Sequence, residues 1–389
     1  MRGKVKLLNS SKALLGDRIL FGGSYGKMNT GDDVFCAVLS WGAQKYWDTK
    51  HINFLGHNLP KLPVNARAVL SEKTAYSKYL RFLETSFEAA KTPILIFGGG
   101  SLFRHGRGKQ RFVFRQLQRF GRFKMGAIGV SLGPYYNKND RKELERFVLR
   151  KLSFLVLRDR HSYEDALSMN LPYKPIEGFD LAAMMPEIYG PAKPQNSTSL
   201  IKKPILGVNI CRWESFEGMN IEMEQRRQQR ITESLIKVAQ NNDIIIRFLL
   251  FNGSQDRSDL ETIKKIAPAL KGYSKIEICD YSNNPVDMWH QIGQCSAILA
   301  TRLHVGILSC FAEVPFIQVE YHQKCSNFID TIGYPEQWRV GDMDISGSEV
   351  ALKLSNLLNG QKFSFASDLK SLRNKAELNF TSPLAIGNL

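Results

Sequence analysis

The sequence lacks several features that would assign a function at once. Its 389 residues include six cysteines, and no two of them have the spacing of a zinc or redox motif. We therefore interpret them as reduced core thiols. Neither a GxxxxGK[ST] phosphate loop nor a clean GxGxxG is present, so the sequence indicates neither ATP nor NAD as a ligand.

Long apolar runs are also missing. The most apolar window, residues 296–319, carries Arg302, His304 and Glu313, which excludes a membrane span. The first residues lack a continuous hydrophobic region of the length that a signal peptide needs. We therefore expect a cytoplasmic protein, in solution or at the inner face of the membrane.

Positive charge is what the sequence has in excess. Fifty-three Lys and Arg residues against 37 Asp and Glu give a net charge of +16, which favours acidic partners. Between Ser101 and Asn139 no carboxylate occurs, and four arginines recur at every fourth position: Arg107, Arg111, Arg115 and Arg119. On a helix they would share one face, which is most simply a solvated surface. Alternatives are a nucleic acid, a diphosphate-linked glycan, or an anionic membrane surface contacted through residues 104–124.

Strand and helix patterns alternate in two series, as in parallel βαβ units. Predicted strands lie at residues 18–22, 93–97, 125–130, 154–158, 205–210, 243–250, 275–279, 296–300 and 315–319. Predicted helices lie at residues 32–47, 107–121, 141–151, 161–169, 224–240, 257–268, 285–293, 302–312 and 324–332. We therefore predict an α/β protein of two Rossmann-like doubly wound domains, 1–185 and 205–350, facing a cleft as in GT-B glycosyltransferases. Residues 186–204 read as a linker, and 351–389 as a helical segment that could pack back on the first domain.

The segment 296–324 carries the most chemistry. A buried strand is followed by Thr301, the expected N-cap of the next helix, so that Arg302 and His304 fall in that helix's first turn. Ligands of open α/β sheets bind at the carboxyl ends of the strands, where a helix N-terminus offers free N–H donors to an anion. The next strand delivers three further side chains to the same edge: Glu320, Tyr321 and Lys324.

Two glycine-rich turns follow predicted strands in the first half. GGSYGKMNTGDD, residues 22–33, supplies Asn29 and Asp32, which can bond hydroxyl groups, although a simple capped turn explains it equally well. GGG at residues 98–100 favours close approach of a ligand to the backbone, against the alternative of tight packing on a helix.

Three more cationic positions lie at strand ends. Arg158 and His161 in RDRHSYE suggest a phosphate site or a surface ion-pair cluster, and Arg212 follows the first strand of the second domain.

The ordered set of motifs resembles the polysaccharide pyruvyl transferase family. The residues that carry the resemblance are NTGDD at 29–33, GGGSLF at 98–103, RDRHSYE at 158–164, FDLA at 179–182, RLH at 302–304 and EYHQK at 320–324. Around Met28 the chain departs from the family's shorter glycine turn. The resemblance implies a GT-B-like fold with an acceptor-binding first domain and a donor-binding second domain. It also implies transfer of the enolpyruvyl group of phosphoenolpyruvate onto two sugar hydroxyls. The sequence shows no metal-binding cluster, and none is needed if arginines neutralise the phosphate, so we expect no metal and no cofactor.

The chemistry of the reaction that the resemblance implies suggests a role for each candidate residue. His304 would be the general acid, with His161 or His105 as substitutes, and Asp32 or Glu320 would accept the proton of the attacking hydroxyl. The remaining positions would bind substrates: Arg302, Arg212, Lys324, Arg158, His161, Leu303, Asn29, Gly99, Gly100 and Tyr321. The expected partners are phosphoenolpyruvate and a saccharide acceptor, either on a cell-surface polysaccharide or on its lipid-diphosphate-linked precursor, and no nucleic acid. A nucleotide-sugar glycosyltransferase and a basic nucleic-acid-binding protein are the alternative interpretations.

Overall fold

The computed structural model describes residues 17–71, 77–104, 124–192, 203–218, 220–256, 258–342 and 346–386. The predicted basic helix at 107–121, His105 and most of the predicted linker lie outside these residues. The chain forms two compact units, the first of residues 1–27, 32–184 and 370–389, and the second of residues 28–31 and 185–369.

The first unit contains a seven-stranded parallel sheet in the order β3-β2-β1-β4-β5-β6-β7. Its strands are β1 (Arg18–Gly22), β2 (His51–Leu55), β3 (Arg67–Ala68), β4 (Ile94–Phe103), β5 (Lys124–Leu132), β6 (Leu155–Leu157) and β7 (Ile176–Glu177). Its described helices are α1 (Thr30–Trp47), α2 (Lys78–Lys91), α3 (Lys138–Phe147) and α4 (Arg160–Leu167). Apolar residues fill both faces of the central strands, which is why they read as continuous hydrophobic runs.

The second unit contains a six-stranded parallel sheet in the order β10-β9-β8-β11-β12-β13. Its strands are β8 (Ile205–Asn209), β9 (Ile245–Leu249), β10 (Lys275–Cys279), β11 (Ala297–Ala300), β12 (Phe316–Glu320) and β13 (Val340–Gly341). Its described helices are α5 (Met185–Tyr189), α6 (Glu214–Glu217), α7 (Ile221–Asn241), α8 (Leu260–Leu270), α9 (Pro285–Gly293), α10 (Leu303–Phe311), α11 (Gln323–Ile332) and α12 (Gly347–Leu358).

In both sheets the strand order reverses beside the first strand, so each unit has a topological switch point of the Rossmann type. In the first unit it lies between β1 and β4, and in the second between β8 and β11. All nine predicted strands are present. α5, Met185–Tyr189, covers the first residues of the predicted linker. The strands that the sequence did not reveal are β2 and the edge strands β3, β7 and β13, each of these three only two residues long.

The last helix, α13 (Leu369–Ile386), belongs mainly to the first unit. Phe380 packs on Trp47 with ring centroids 5.5 Å apart, and the Trp47 indole N–H donates to the Phe380 carbonyl at 2.7 Å. Asn379 donates to the Phe179 carbonyl at 2.9 Å. The C-terminal helix therefore contributes a buried aromatic ring to the core of the first unit.

Among the described residues, no helix combines the length and the apolar character that crossing a membrane would require.

Candidate functional site

Three loops meet at the switch point of the second unit. They follow β8, β11 and β12. The first carries Arg212, the second ends at Arg302, the N-cap of α10, and the third leads into α11, whose first turn carries Lys324. The Thr301 hydroxyl accepts from the Cys211 backbone N–H at 2.9 Å, which joins the first two loops. The prediction that Thr301 caps the following helix was wrong, because Arg302 occupies the N-cap position and the Thr301 hydroxyl is used between strands.

The carboxylate of Asp259 connects the loops of this site through hydrogen bonds. Its carboxylate is fully buried and accepts from the backbone N–H groups of Phe251 and Asn252 at 3.2 and 3.1 Å. It also accepts from the Asn209 side-chain amide at 3.3 Å and from Arg302. One carboxylate thus joins the ends of β8, β9 and β11.

Arg302 pairs with Asp259 through only part of its guanidinium. Nε lies 2.9 Å from Oδ2, and Nη2 lies 2.5 Å from Oδ1. Burial works against the charge, but the Asp259 carboxylate outweighs it and raises the pKa of Arg302 above its ordinary value. No described residue accepts a hydrogen bond from Nη1, and 18% of the side chain is exposed. Arg302 is therefore held rigidly, permanently charged, with donors left for a ligand.

The early segment Met28–Gly31 belongs to the second unit and lies beside the RLH motif. The Thr30 N–H donates to the Phe251 carbonyl at 2.9 Å, and Asn29 forms an antiparallel bridge with Asn252. A Cβ added at Gly31 would overlap the His304 imidazole ring. The NTG and RLH motifs, more than 270 residues apart in the sequence, are therefore in contact at the half-buried His304.

Aromatic rings surround Lys324. Its ammonium lies 4.4 Å from the Trp213 ring centroid and 5.7 Å from that of Tyr321, within the range of cation–π attraction. Burial raises the pKa of Tyr321 well above its ordinary value, with Cys211 and Cys325 adding to the effect and Arg302 opposing it. Tyr321 therefore stays a neutral hydroxyl that can donate a hydrogen bond.

A buried ion cluster supports this aromatic layer. Arg227 pairs with Glu214 at 2.5 Å and with Asp342, and its guanidinium carbon lies 4.9 Å from the Tyr321 ring centroid. Burial lowers the pKa of Arg227, but both carboxylates more than compensate and raise it overall. Because Glu214 follows Arg212 and Trp213 directly, the cluster fixes the loop after β8.

Glu320 is already engaged by an arginine. Arg339 donates to both of its carboxylate oxygens, at 2.9 and 2.6 Å, and the Glu320 side chain is only 8% exposed. This arrangement argues against the predicted role of Glu320 as a base, because the oxygens that would accept a proton are held by the guanidinium. Leu303 is buried, so its side chain is a core residue and only its backbone can face a ligand.

Of the two predicted substrate-binding residues in the RDRHSYE segment, one is buried and one is exposed. Arg158 is buried and donates to Asp180 at 3.0 Å and to the hydroxyls of Ser101 and Ser131 at 3.1 and 3.2 Å. His161 is exposed on α4. The RD and FDLA motifs thus form an internal network, which accounts for Arg158 without a ligand.

Packing also accounts for two of the three consecutive glycines. A Cβ at Gly98 would lie 2.5 Å from a Leu39 methyl, and one at Gly99 would lie 2.5 Å from the Phe35 ring, both on α1. Gly100 has φ of +82° and more room, with Phe35 at 3.6 Å. Ligand approach to Gly99 and Gly100 stays a prediction, as does the role of Asp32, which lies in the first turn of α1.

Four residues of the site gave no signal in the sequence: Asp259, Asn209, Arg227 and Trp213. Asp259 was hidden because it reads as one of several polar residues in the first turn of the helix predicted at 257–268. Only its distance from Arg302 in space, across 43 positions of sequence, shows its role. The described residues contain no group of three or more His, Cys, Asp and Glu side chains arranged to hold a metal ion.

With this geometry established, the chain can be classed. The model of the polysaccharide pyruvyl transferase family matches residues 29–323, which span the segments from NTGDD to RLH and end one residue before the lysine of EYHQK. The chain therefore belongs to the polysaccharide pyruvyl transferase family. No curated protein sequence matches it significantly.

Solved structures share its fold at low sequence identity. UDP-GlcNAc 2-epimerase from Methanocaldococcus jannaschii has a TM-score of 0.57 at 14% identity, covering 92% of this chain and 97% of the epimerase. The Neisseria meningitidis enzyme of the same name, bound to UDP-GlcNAc, has a TM-score of 0.57 at 11% identity, covering 94% and 99%. A glycosyltransferase from Rickettsia africae has a TM-score of 0.53 at 10% identity, covering 95% and 96%. These similarities confirm the predicted GT-B-like class of fold and carry no further conclusion.

Asp259→Asn should destabilise the second unit. It leaves the buried Arg302 guanidinium without its countercharge, and breaking such a pair typically costs about 3–5 kcal/mol. Urea denaturation followed by tryptophan fluorescence would measure the loss. Asp256→Asn, three residues away and exposed, is the matched control and should change stability by less than about 0.5 kcal/mol. Equal stabilities of the two variants would contradict the central role of Asp259.

Gly99→Ala should destabilise the first unit more than Gly100→Ala does. Both positions have positive φ, which costs an alanine about 1–2 kcal/mol, but only Gly99 also brings a Cβ against Phe35, at a further ~1–3 kcal/mol. Denaturant unfolding of the two variants isolates that difference. If both lose the same stability, packing against α1 is not what requires a glycine at position 99.

Proposed function

We propose that the protein transfers the enolpyruvyl group of phosphoenolpyruvate to two hydroxyls of a saccharide, forming a pyruvate ketal and releasing phosphate. The observation that carries the proposal is the meeting of Arg302, the imidazole of His304 and the Met28–Gly31 segment at one switch point. Membership of the family supports a pyruvyl transfer on a polysaccharide. The acceptor is proposed to be a cell-surface polysaccharide or its lipid-linked precursor.

The donor carries a phosphate and a carboxylate, so it requires several fixed cations. Arg302 offers Nη1, and Arg212 and Lys324 stand on the loops joined to it through Cys211 and Trp213. The first N–H groups of α10 have no partner within the helix and favour negative charge. Arginine suits phosphate and carboxylate because its planar donors match two oxygens at once.

The reaction consists of an addition and a displacement. In the addition, a sugar hydroxyl oxygen bonds to C2 of the donor, its proton leaves to a base, and C3 gains a proton to become a methyl group. In the displacement, a second hydroxyl of the same sugar bonds to C2, the C2–O bond to phosphate breaks, and the proton of that hydroxyl passes to the departing phosphate. His304 is proposed to protonate C3, and Asp32 to accept the proton from the first hydroxyl. Neither step changes the oxidation level or requires a metal ion.

The magnitudes favour this division of roles. A positioned acid typically contributes 10²–10⁴ in rate. Fixed cations that stabilise the departing phosphate contribute a comparable or larger factor, because they need no reorganisation during the reaction. Tyr321, kept neutral by burial, is proposed as a hydrogen-bond donor to the same anion.

His304→Ala should remove turnover while leaving donor binding nearly intact. We expect phosphate release from phosphoenolpyruvate, measured across a panel of galactosides, glucosides and N-acetylmannosaminides, to fall about 10²–10⁴-fold. The dissociation constant of the donor, measured by calorimetry, should change by less than about threefold. Normal turnover in this variant would refute the assignment of the acid.

Gly31→Ala provides an independent test of the same imidazole. The added methyl group must displace the His304 ring, so the rate should fall although His304 is still present. Gly272→Ala, where nothing lies within 4 Å of the added Cβ and φ is not positive, is the control for glycine replacement and should keep the wild-type rate.

Arg212→Ala should raise the dissociation constant of the donor and not only lower the rate of the chemical step. Loss of a charge-assisted contact to the phosphate or carboxylate predicts a Kd raised at least about tenfold. Arg226→Ala, exposed on α7, is the matched control and should bind the donor as the wild-type protein does. Arg212 is preferred to Arg302 for this test because removing Arg302 would also leave Asp259 buried without its partner.

A further inference from the structure

The first unit contains a cavity that none of the proposed donor residues lines. It has a volume of about 300 Å³ and opens at the carboxyl ends of β1, β2 and β4, beside that unit's own switch point. This volume is at the lower end of the range for small-molecule sites and suits one sugar residue with a substituent.

The loop that forms one side of the cavity is held rigidly. The Tyr25 hydroxyl donates to the Gly98 carbonyl at 2.7 Å, and Tyr25 is only 2% exposed. Gly26 has φ of +73°, and a Cβ at that position would overlap the His57 carbonyl. The loop therefore folds closely onto the end of β2, and the cavity is preformed.

The lining combines an apolar wall with positive charge. Leu55, Leu70 and Phe97 supply the wall. Lys27, on the loop after β1, and Arg81, on α2, supply the positive charge. His57 also lines the cavity, and its Nδ1 lies 2.9 Å from the Ser71 carbonyl oxygen. Since a carbonyl can only accept, Nδ1 carries the hydrogen. Among the described residues that line the cavity there is no Asp or Glu.

From this combination we propose that the cavity binds an acidic sugar residue of the saccharide acceptor, one that bears a carboxylate or a phosphate group. The apolar carbon–hydrogen face of a pyranose packs on Phe97 and the leucines, while Lys27 and Arg81 bind the anionic substituent. A neutral sugar would leave two cations without a ligand charge. That the bound acidic sugar is part of the acceptor rests on the proposed function. That the cavity binds an acidic sugar does not.

Calorimetric titration of the full chain with methyl glucoside, methyl glucuronide and glucose 6-phosphate tests the proposal. The wild-type protein should bind at least one of the two acidic sugars about tenfold or more tightly than methyl glucoside. Preference for the glucuronide identifies a carboxylate as the substituent, and preference for the phosphate ester identifies a phosphate.

Substitutions of the two cations test whether the acidic sugar binds in this cavity. Lys27→Ala combined with Arg81→Gln should reduce the preference for acidic sugars to less than about threefold without changing the binding of methyl glucoside. Lys27→Ala alone alters an exposed loop residue, so it keeps the test valid if the double variant fails to fold. Arg67→Gln, exposed on β3 and outside the cavity lining, is the matched control and should retain the preference.

The proposal is overturned if acidic and neutral sugars bind equally, or if the preference survives in the Lys27→Ala variant and in the double variant. Phosphoenolpyruvate titrated into the same variants separates this result from the proposed function. The cavity variants should bind the donor like the wild-type protein, whereas Arg212→Ala should bind acidic sugars normally. A protein that prefers acidic sugars through Lys27 and Arg81 but binds no phosphoenolpyruvate would keep this inference and refute the proposed donor.

Discussion

The second unit depends on one buried carboxylate paired with one arginine. Asp259 has no exposed surface, so its charge is tolerated only because Arg302, two backbone N–H groups and the Asn209 amide all donate to it. Those donors come from the ends of β8, β9 and β11. Because the buried carboxylate needs all of these donors, it holds the three loops at fixed distances from one another. The Phe251 carbonyl, on the same β9 loop, accepts from Thr30, so the position of the NTG segment depends on the same pair.

Local patterns in the sequence predicted where the strands lie, but they did not predict which side chains at the strand ends contact one another. β1 and β10 begin and end at the predicted residues. β1 is a buried parallel strand and therefore a short apolar run, whereas β10 is a partly exposed edge strand in which apolar and charged residues alternate. The two-residue edge strands are too short to produce such a run. His304 and Arg302 could be singled out because they interrupt an apolar stretch. Asp259 and Arg227 could not, since a buried ion pair is defined by its partner, which lies elsewhere in the sequence.

The glycines also show how far local sequence patterns can predict contacts. A run of three glycines indicates that the backbone needs freedom or space, but it does not say whether a ligand or the protein itself occupies that space. At Gly98 and Gly99 the occupant is α1, through Leu39 and Phe35. At Gly31 the occupant is the His304 ring, so a glycine that looked like part of a turn is what lets the side chain of the proposed acid approach the backbone. The two cases differ only in which side chain fills the space.

The pairing of Arg302 with Asp259 also explains how a cationic site can be stable without its ligand. Three unpaired cations in one place would repel one another and favour unfolding. Here Arg302 is balanced by Asp259, and Lys324 rests on two aromatic rings, which attract its charge without neutralising it. Such a site carries a smaller net charge than its count of arginines and lysines suggests. The proposed donor, phosphoenolpyruvate, would then bind through directed hydrogen bonds as much as through total charge, and that favours planar, fixed guanidinium groups at this position.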